Sequence, residues 1–224
     1  MAFSIRPVIL TCEGDPSIMQ RFVLGFGNVR HVLKPPVVLV DQSRSPRLSG
    51  PYLAQVAALE PHAVYVHARE PEGSDYDSVQ QAANLALALA LAAAAPDEYI
   101  LFLEDDILFS SRFAETVSNT YLGPESGFFT LYLPGDGYGA DVVQPSRFYG
   151  SQCLLFPRAA VAALVEGREA MMANFPPGYD IRWSRFLAHR NFVLYAASHS
   201  FVQHQPGLSR LHGHGSHLSN RFVP

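Results

Sequence analysis

Three consecutive acidic residues follow the apolar run at 99–103 (YILFL), namely Glu104, Asp105 and Asp106. Adjacent like charges raise one another's pKa values unless a cation or hydrogen-bond donors compensate them. Carboxylate oxygens are the ligands that Mg²⁺ and Mn²⁺ prefer, and such ions keep positions for water and substrate phosphates. A continued strand would send Glu104 and Asp106 to one side and Asp105 to the other, which favours one direct metal ligand over three. The alternative is a solvated acidic turn that caps a following helix.

Another acidic residue, Asp180, lies between the turn-forming segment 176–179 (PPGY) and a helical pattern. The dipole at a helix N-terminus favours the ionised form of a carboxylate. An ionised carboxylate can take the proton of an attacking hydroxyl group, so Asp180 is the candidate general base. The alternative is that Asp180 only caps the helix.

The elements that would position these acids are short apolar runs alternating with helical patterns. Strands are predicted at 8–11, 37–40, 63–67, 99–103, 128–133, 148–156 and 192–195, and helices at 17–26, 75–95, 111–121, 158–172 and 181–189. Ser78 and Gln81 resemble a capping box, residues 134–139 (PGDGYG) are a candidate lid, and the chain from 199 onward is predicted to be irregular. The alternation predicts an α/β fold with a Rossmann-like, mainly parallel central sheet flanked by helices. Ligands of such sheets bind at the carboxyl ends of the strands, where the three acids would lie.

The composition limits the class of protein. With 224 residues and 48% hydrophobic residues, the chain can bury the core of one domain. A formal net charge of -4 and the lack of a long basic run exclude a surface for nucleic acid, but they allow small phosphorylated ligands. The apolar stretch 82–95 is too short to span a bilayer, so no transmembrane segment is expected. Cys12 and Cys153 form no CxxC pair, and no signal-peptide pattern is present, which predicts a cytoplasmic protein.

Histidines are concentrated in the C-terminal segment, which contains five of the nine: His199, His204, His212, His214 and His217. The spacing in 212–217 (HGHGSH) lacks the helical i, i+4 arrangement of a zinc site, so zinc is not predicted there. By residue type alone, His204 is more often a hydrogen-bonded core histidine than a ligand.

Two motifs carry a resemblance to a known family. The segment 99–107 (YILFLEDDI) resembles the acidic metal-binding motif of GT-A fold glycosyltransferases, in the Glu-Asp-Asp form of several N-acetylglucosaminyltransferases. The segment 200–211 (SFVQHQPGLSRL) is similar to a Gln-His-x-Gly-x-x-Ser pattern of the N-acetylglucosaminyltransferase IV group, except that Pro206 moves the glycine one residue later. The order of elements is also similar, including 148–156 (FYGSQCLLF) before a helix and 178–180 (GYD) at the start of another.

This resemblance implies a metal and a donor site. Asp106 would bind Mn²⁺ or Mg²⁺ directly, and His204 would complete the metal or diphosphate site. Glu104 would approach the ribose or the metal shell, and Asp105 would contact the donor sugar. Asp41, at the end of the second strand, would meet the nucleobase.

Further donor contacts are predicted around these residues. The first strand end would line the nucleotide pocket with Thr11, Cys12 and Glu13, although a plain strand-to-turn role fits this segment equally well. The C-terminal tail would reach the diphosphate with Ser209, Arg210 and His212, of which Arg210 supplies a cation. At 150–152 (GSQ), Gly150 and Ser151 would let the backbone approach a sugar, with ordinary strand packing as the alternative. Trp183 could stack on an acceptor sugar, but a role in the core is favoured.

The resemblance implies a single GT-A-like domain over residues 1–224. It would comprise a nucleotide-binding half (1–106), an acceptor-side half (107–198) and a His-rich tail over the active site (199–224). The predicted activity is metal-dependent transfer of a hexosyl or N-acetylhexosaminyl group, with inversion, from a UDP-linked sugar to a saccharide or other hydroxyl acceptor. The alternatives are a metal-dependent nucleotidyltransferase or phosphohydrolase, and a non-catalytic module that binds sugar nucleotides.

Overall fold

A computed structural model describes residues 4–12, 15–43, 55, 58–59, 63–68, 76–134, 141–205 and 218–224. The strands are β1 (Ile5–Thr11), β2 (Val38–Asp41), β3 (Val64–His67), β4 (Tyr99–Glu104), β5 (Ile107–Phe109), β6 (Ser126–Thr130), β7 (Asp141–Val142), β8 (Cys153–Pro157), β9 (Val193–Ala196) and β10 (Val202–His204). The helices are α1 (Pro16–Val29), α2 (Tyr76–Ala93), α3 (Phe113–Asn119), α4 (Arg158–Glu166), α5 (Arg168–Asn174) and α6 (Tyr179–His189), and a 3₁₀ turn (Arg30–Val32) follows α1.

The central sheet of the described residues has eight strands in the order β3-β2-β1-β4-β8-β6-β9-β7. The pairs β1 with β2, β1 with β4, β2 with β3 and β6 with β9 are parallel, whereas β8 runs antiparallel to both β4 and β6, and β7 runs antiparallel to β9. Six of these eight strands therefore point the same way. The carboxyl ends of β3, β2, β1 and β4 meet at one edge of the sheet, as the sequence predicts.

Both faces of the sheet are buried, which explains the uninterrupted apolar runs. On β4, Ile100 and Phe102 pack into a core formed with α2, α4 and α6, whereas Leu101 and Leu103 pack into a second core with α1 and α3. Successive side chains of a strand point to opposite faces, so a strand covered on both sides needs apolar residues at every position. Packing on both faces therefore holds β4 in place, and with it Glu104, the last residue of the strand.

Several predicted elements were wrong in type or extent. The tail is not wholly irregular, because β10 pairs antiparallel with β5, and neither strand of this pair was predicted. The predicted strand 148–156 starts only at Cys153, and the one at 128–133 ends at Thr130. Helix α3 is shorter than the predicted 111–121. Ser78 lies inside α2, which already begins at Tyr76, so the capping-box prediction was wrong.

The predicted helix 158–172 is two helices, α4 and α5, separated at Gly167. An ideal Cβ at Gly167 would lie 2.1 Å from Cζ of Phe186. The missing side chain therefore lets α6 pack closely against the junction between the two helices. The predicted start of this region was confirmed, because Pro157 precedes the first helical residue. Within the described residues, no helix is long and apolar enough to cross a membrane.

Candidate functional site

The three acidic residues lie at the carboxyl edge of the sheet, where β4 ends at Glu104 and a turn begins. Glu104 Oε1 accepts hydrogen bonds from Ser151 Oγ at 2.7 Å and from Tyr179 OH at 2.5 Å. Its Oε2 lies 3.4 Å from Gln152 Nε2, which donates to it. The side chain of Glu104 is thus oriented by the residues before β8 and by the start of α6.

The other two acids have different partners, because the strand ends before them. Asp105 Oδ2 accepts a hydrogen bond of 2.5 Å from the hydroxyl of Thr11, at the end of β1. Asp106 Oδ2 lies 2.7 Å from His204 Nε2, on β10. The backbone N–H of Gln205 donates to the carbonyl oxygen of Asp106 at 2.6 Å. The β5–β10 pair therefore brings His204, almost a hundred residues away in sequence, to the acidic turn.

The electrostatics of this turn are unbalanced. Burial and the charge of Asp106 raise the pKa of Glu104 to about 7, although hydrogen bonds from Tyr179 and Ser151 act in the opposite direction. Burial lowers the pKa of His204, but the hydrogen bond and charge of Asp106 outweigh it, so the net pKa is raised. Among the described residues, His204 is the one side chain able to carry a positive charge that pairs with Glu104 or Asp106.

Two buried atoms at this turn have no partner among the described residues, and one of them fits a divalent cation. Asp106 Oδ1 and His204 Nδ1 are buried and have no hydrogen-bond partner in the described part of the chain. An unpaired buried polar atom is unfavourable, and a carboxylate oxygen such as Asp106 Oδ1 is a ligand that Mg²⁺ and Mn²⁺ prefer. His204 Nδ1 points away from Asp106, because the other ring nitrogen, Nε2, contacts that carboxylate. The described residues contain no group of three or more His, Cys, Asp or Glu side chains that could hold a metal ion. The chemistry of Asp106 Oδ1 fits Mg²⁺ or Mn²⁺, which take oxygen ligands and keep positions for water and phosphate.

Asp180 lies in the first turn of α6 and is half-buried. Its Oδ2 accepts a hydrogen bond of 2.9 Å from the backbone N–H of Gly150, and its Oδ1 accepts one of 2.8 Å from the N–H of Ile181. Gly150 has φ +100°, a backbone conformation that favours glycine. Because Tyr179 contacts Glu104 and Asp180 contacts Gly150, the start of α6 links the acidic turn to the candidate base.

The predicted nucleotide pocket lies at the ends of β1, β2 and β3. Thr11 pairs with Asp41, and Asp41 pairs with His67, in the parallel register of these strands. Asp41 is fully buried. Its Oδ1 accepts hydrogen bonds from the N–H and hydroxyl of Ser43, and its Oδ2 accepts one of 2.7 Å from Tyr65 OH. The side chain of Cys12 is half-buried.

Some predicted site residues lie outside the described residues. They are Glu13, the lid candidate from 135 onward, and the tail residues Ser209, Arg210, His212, His214 and His217. Trp183 belongs to the core, as favoured from the sequence, because it is fully buried against Phe102, Phe156 and Tyr179.

Two residues that hold the site together, Tyr179 and Gln205, were not predicted from the sequence. Tyr179 was passed over although it directly precedes Asp180, a position from which it could have been inferred to reach the same site. Gln205 is buried and donates from Nε2 to the carbonyl oxygens of Ile18 and Ile107, while Arg21 donates to its Oε1. Gln205 thereby fastens α1 to the β5–β10 pair, which no sequence pattern indicates because the contact depends on tertiary packing.

Solved structures of other proteins share this fold. A mannosyltransferase, PcManGT from Pyrobaculum calidifontis, solved in complex with GDP-Man and Mn²⁺, aligns with a TM-score of 0.50 and 15% identity over 86% of this chain and 56% of its own. TarS 1-349 from S. aureus aligns with a TM-score of 0.56 and 11% identity over 89% of this chain and 60% of its own. No protein-family model and no curated protein sequence matches the chain.

The likeness confirms the predicted fold class, a GT-A-like α/β fold with a central, mainly parallel sheet between helices. This chain spans less than two thirds of the length of either structure. At this level of identity the likeness defines the fold, and the chemistry must be argued from the site.

Proposed function

We propose that this protein is a metal-dependent glycosyltransferase that moves a sugar from a nucleoside diphosphate sugar, UDP-linked, to a saccharide or other hydroxyl acceptor. One observation carries the proposal. At the carboxyl edge of the sheet, Glu104 and Asp106 repel each other with His204 as the one described side chain that can carry an offsetting charge, and Asp106 Oδ1 has no described partner. A cation between these acids and a diphosphate would remove the imbalance.

In this proposal Asp106 and His204 hold Mn²⁺ or Mg²⁺, which when bound would offset the negative charge of a departing nucleoside diphosphate. Glu104 is oriented by Ser151 and Tyr179 and lies beside the ion or the ribose. Asp105, held by Thr11, faces the donor sugar. The described geometry supports these roles because the three carboxylates reach three different sets of partners from one turn.

The proposed general base is Asp180. Hydrogen bonds from two backbone N–H groups favour the ionised carboxylate, which is the form that accepts a proton. The acceptor hydroxyl would lose its proton to Asp180 while its oxygen attacks the anomeric carbon from the side opposite the diphosphate, which inverts the configuration. The hydrogen bond from Tyr179 to Glu104 holds the start of α6, and therefore Asp180, at a fixed position relative to the carboxyl end of β4.

The nucleoside would lie at the ends of β1 and β2. Thr11, Cys12 and Asp41 lie at or next to these strand ends, where Thr11 pairs with Asp41, and Glu13 is proposed to join them at the nucleoside. Ser209, Arg210 and His212 would contact the diphosphate from the tail, and Gly150 and Ser151 would border the sugar. This places the nucleotide in residues 1–106 and the acceptor against residues 107–198 of a single domain.

Incubation with Mn²⁺, UDP- and GDP-linked hexoses and N-acetylhexosamines, and a panel of saccharide acceptors tests the proposal. We expect a glycosylated product and free nucleoside diphosphate, with loss of activity in EDTA. The anomeric configuration of the product, read by NMR, tests inversion. Release of inorganic phosphate would indicate a phosphohydrolase, nucleotide incorporation a nucleotidyltransferase, and donor binding without any product a binding module.

Asp180→Asn separates the chemical step from donor binding. We expect turnover to fall roughly 100- to 10,000-fold, because the amide cannot take the acceptor proton, while donor affinity is retained. Asp97→Asn is the matched control, since Asp97 is exposed in the turn before β4, at its opposite end. Undiminished turnover in Asp180→Asn would exclude Asp180 as the base and leave the helix-capping role.

A further inference from the structure

A side chain absent from the roles above, Gln152, lies between the two halves of the proposed site. Its backbone carbonyl accepts a hydrogen bond of 3.1 Å from the N–H of Glu104, so it directly precedes β8 and lies across from the end of β4. Its side-chain Nε2 donates to Glu104 Oε2. The amide is therefore anchored to the acidic turn through both backbone and side chain.

The orientation of this amide is determined by its neighbour. An ionised carboxylate offers only acceptors, so the NH₂ group of Gln152 faces Glu104 when Glu104 is ionised, because a flipped amide would then oppose two oxygens. The carbonyl oxygen Oε1 then points the other way, towards Gly150, where an ideal Cβ would lie 3.1 Å from it. The N–H of Gly150 in turn donates to Asp180. Oε1 is therefore adjacent to Gly150, the residue that holds the proposed base.

Gln152 Oε1 is buried and has no hydrogen-bond partner in the described residues. A buried acceptor without a donor is unfavourable, and a ligand that supplies the donor relieves this cost. The missing partner alone is not decisive, because Gln80 Oε1, on α2, is also buried and unpartnered. Gln80 lies against Asn84, which contacts Trp183 in the core, whereas Gln152 connects a proposed donor residue with the residue that holds the proposed base.

We propose that Gln152 recognises the transferred sugar. Its Oε1 would accept a hydrogen bond from a hydroxyl group or an acetamido N–H on the sugar of the donor. This inference rests on the proposed function. In an inverting transfer the sugar must lie between the leaving diphosphate and the base, and Gln152 contacts Glu104 on the proposed donor side and Gly150, which holds Asp180, on the other. Gln152 is then a specificity-determining residue, and its contact adds affinity for the sugar portion of the donor alone.

Equilibrium binding by calorimetry with Mn²⁺ tests this role with UDP, UDP-glucose, UDP-galactose, UDP-N-acetylglucosamine, GDP and GDP-mannose. In Gln152→Met, which keeps the length of the side chain and removes its amide, we expect the dissociation constant of the best-bound sugar nucleotide to rise about tenfold. The dissociation constants of UDP and GDP should change less than about twofold, since neither carries the sugar. The sugar nucleotide whose affinity falls most in Gln152→Met identifies the sugar group that Gln152 recognises.

The matched control is Gln80→Met, which removes another buried amide whose oxygen has no partner in the described residues and should leave the preference for the sugar nucleotide unchanged. Thermal unfolding of both variants checks that they are folded. Equal weakening of the free diphosphate and its sugar conjugate in Gln152→Met, or no weakening of either, would overturn the inference while leaving the proposed function intact. If the wild-type protein binds none of the six nucleotides with Mn²⁺, the proposed function fails and the inference fails with it.

Discussion

The two ends of β4 carry acidic residues in opposite electrostatic situations. Glu98, just before the strand, is buried between Arg6, whose Nη2 lies 2.9 Å from Oε2, and the ammonium group of Lys34, and it also accepts hydrogen bonds from Ser4 and the N–H of Ala95. Burial raises the pKa of Glu98, but these donors outweigh it and hold the pKa at about 2. At the other end, burial and Asp106 raise the pKa of Glu104 to about 7.

The difference separates a structural acid, Glu98, from a proposed ligand-binding one, Glu104. A buried carboxylate surrounded by cations and donors is satisfied within the fold and needs nothing from solution. Glu104 and Asp106 repel each other at a strand end, and Asp106 Oδ1 has no partner in the described residues. A bound cation would stabilise such carboxylates. One strand therefore carries its stabilising charge at the amino end and its proposed functional charge at the carboxyl end.

The largest expected effect is on stability, from Glu98→Gln. This change leaves Arg6, which is 4% exposed, without its charged partner, so we expect the free energy of unfolding to fall by about 3–5 kcal/mol. Urea denaturation measures it. Glu115→Gln is the control, since its pair with Arg112 is 3.6 Å apart and exposed, and should cost less than about 1 kcal/mol. If both variants lost the same free energy of unfolding, Glu98 would contribute no more to stability than an exposed ion pair does.

The next effect is on binding, from Asp106→Asn. We expect the Mn²⁺-dependent affinity for the nucleoside diphosphate to fall at least about 100-fold, because loss of even an outer partner of a metal ligand costs about 10- to 100-fold. The free energy of unfolding without metal should stay within about 1 kcal/mol of the wild type, since the lost hydrogen bond to His204 is offset by relief of repulsion with Glu104. Retained Mn²⁺-dependent affinity, measured by calorimetry, would contradict the role of Asp106.

The smallest effect is the pH dependence of ion binding. A pKa of about 7 for Glu104 means that protons compete with the ion near neutrality, so the affinity for Mn²⁺ should rise about tenfold from pH 6 to pH 8. Because this pKa is raised above the ordinary value of 4.5, the metal-free protein should lose stability as the pH rises from 4.5 to about 7, and Mn²⁺ should restore it.

Titration of Mn²⁺ by electron paramagnetic resonance at pH 6, 7 and 8 measures this dependence. Glu104→Gln should flatten it, leaving the smaller contribution of His204, whose raised pKa acts in the same direction. A wild-type affinity that does not change over this range would show that Glu104 is already ionised without the ion, as Glu98 is at the other end of the strand.

Much of the fold could be predicted because its signals are local. β1, β2, β3 and β4 were predicted from apolar runs of adequate length, and α2 from its run of strong helix formers. The break at Gly167 and the β5–β10 pair could not be, since the first depends on Phe186 of α6 and the second joins strands about ninety residues apart. Both are set by contacts that no short window of sequence contains.

For the site, the sequence by itself determined that three acids follow a strand buried on both faces, which places them at a ligand-binding edge for reasons of chain geometry alone. Only the tertiary structure decided what each acid faces: Tyr179 and Ser151 at Glu104, Thr11 at Asp105, and His204 at Asp106. The pKa of a carboxylate depends on burial and on the charges and donors around it, and these come from distant parts of the chain. The same residue type therefore became a charge compensated within the fold in Glu98 and a proposed ligand-binding residue in Glu104.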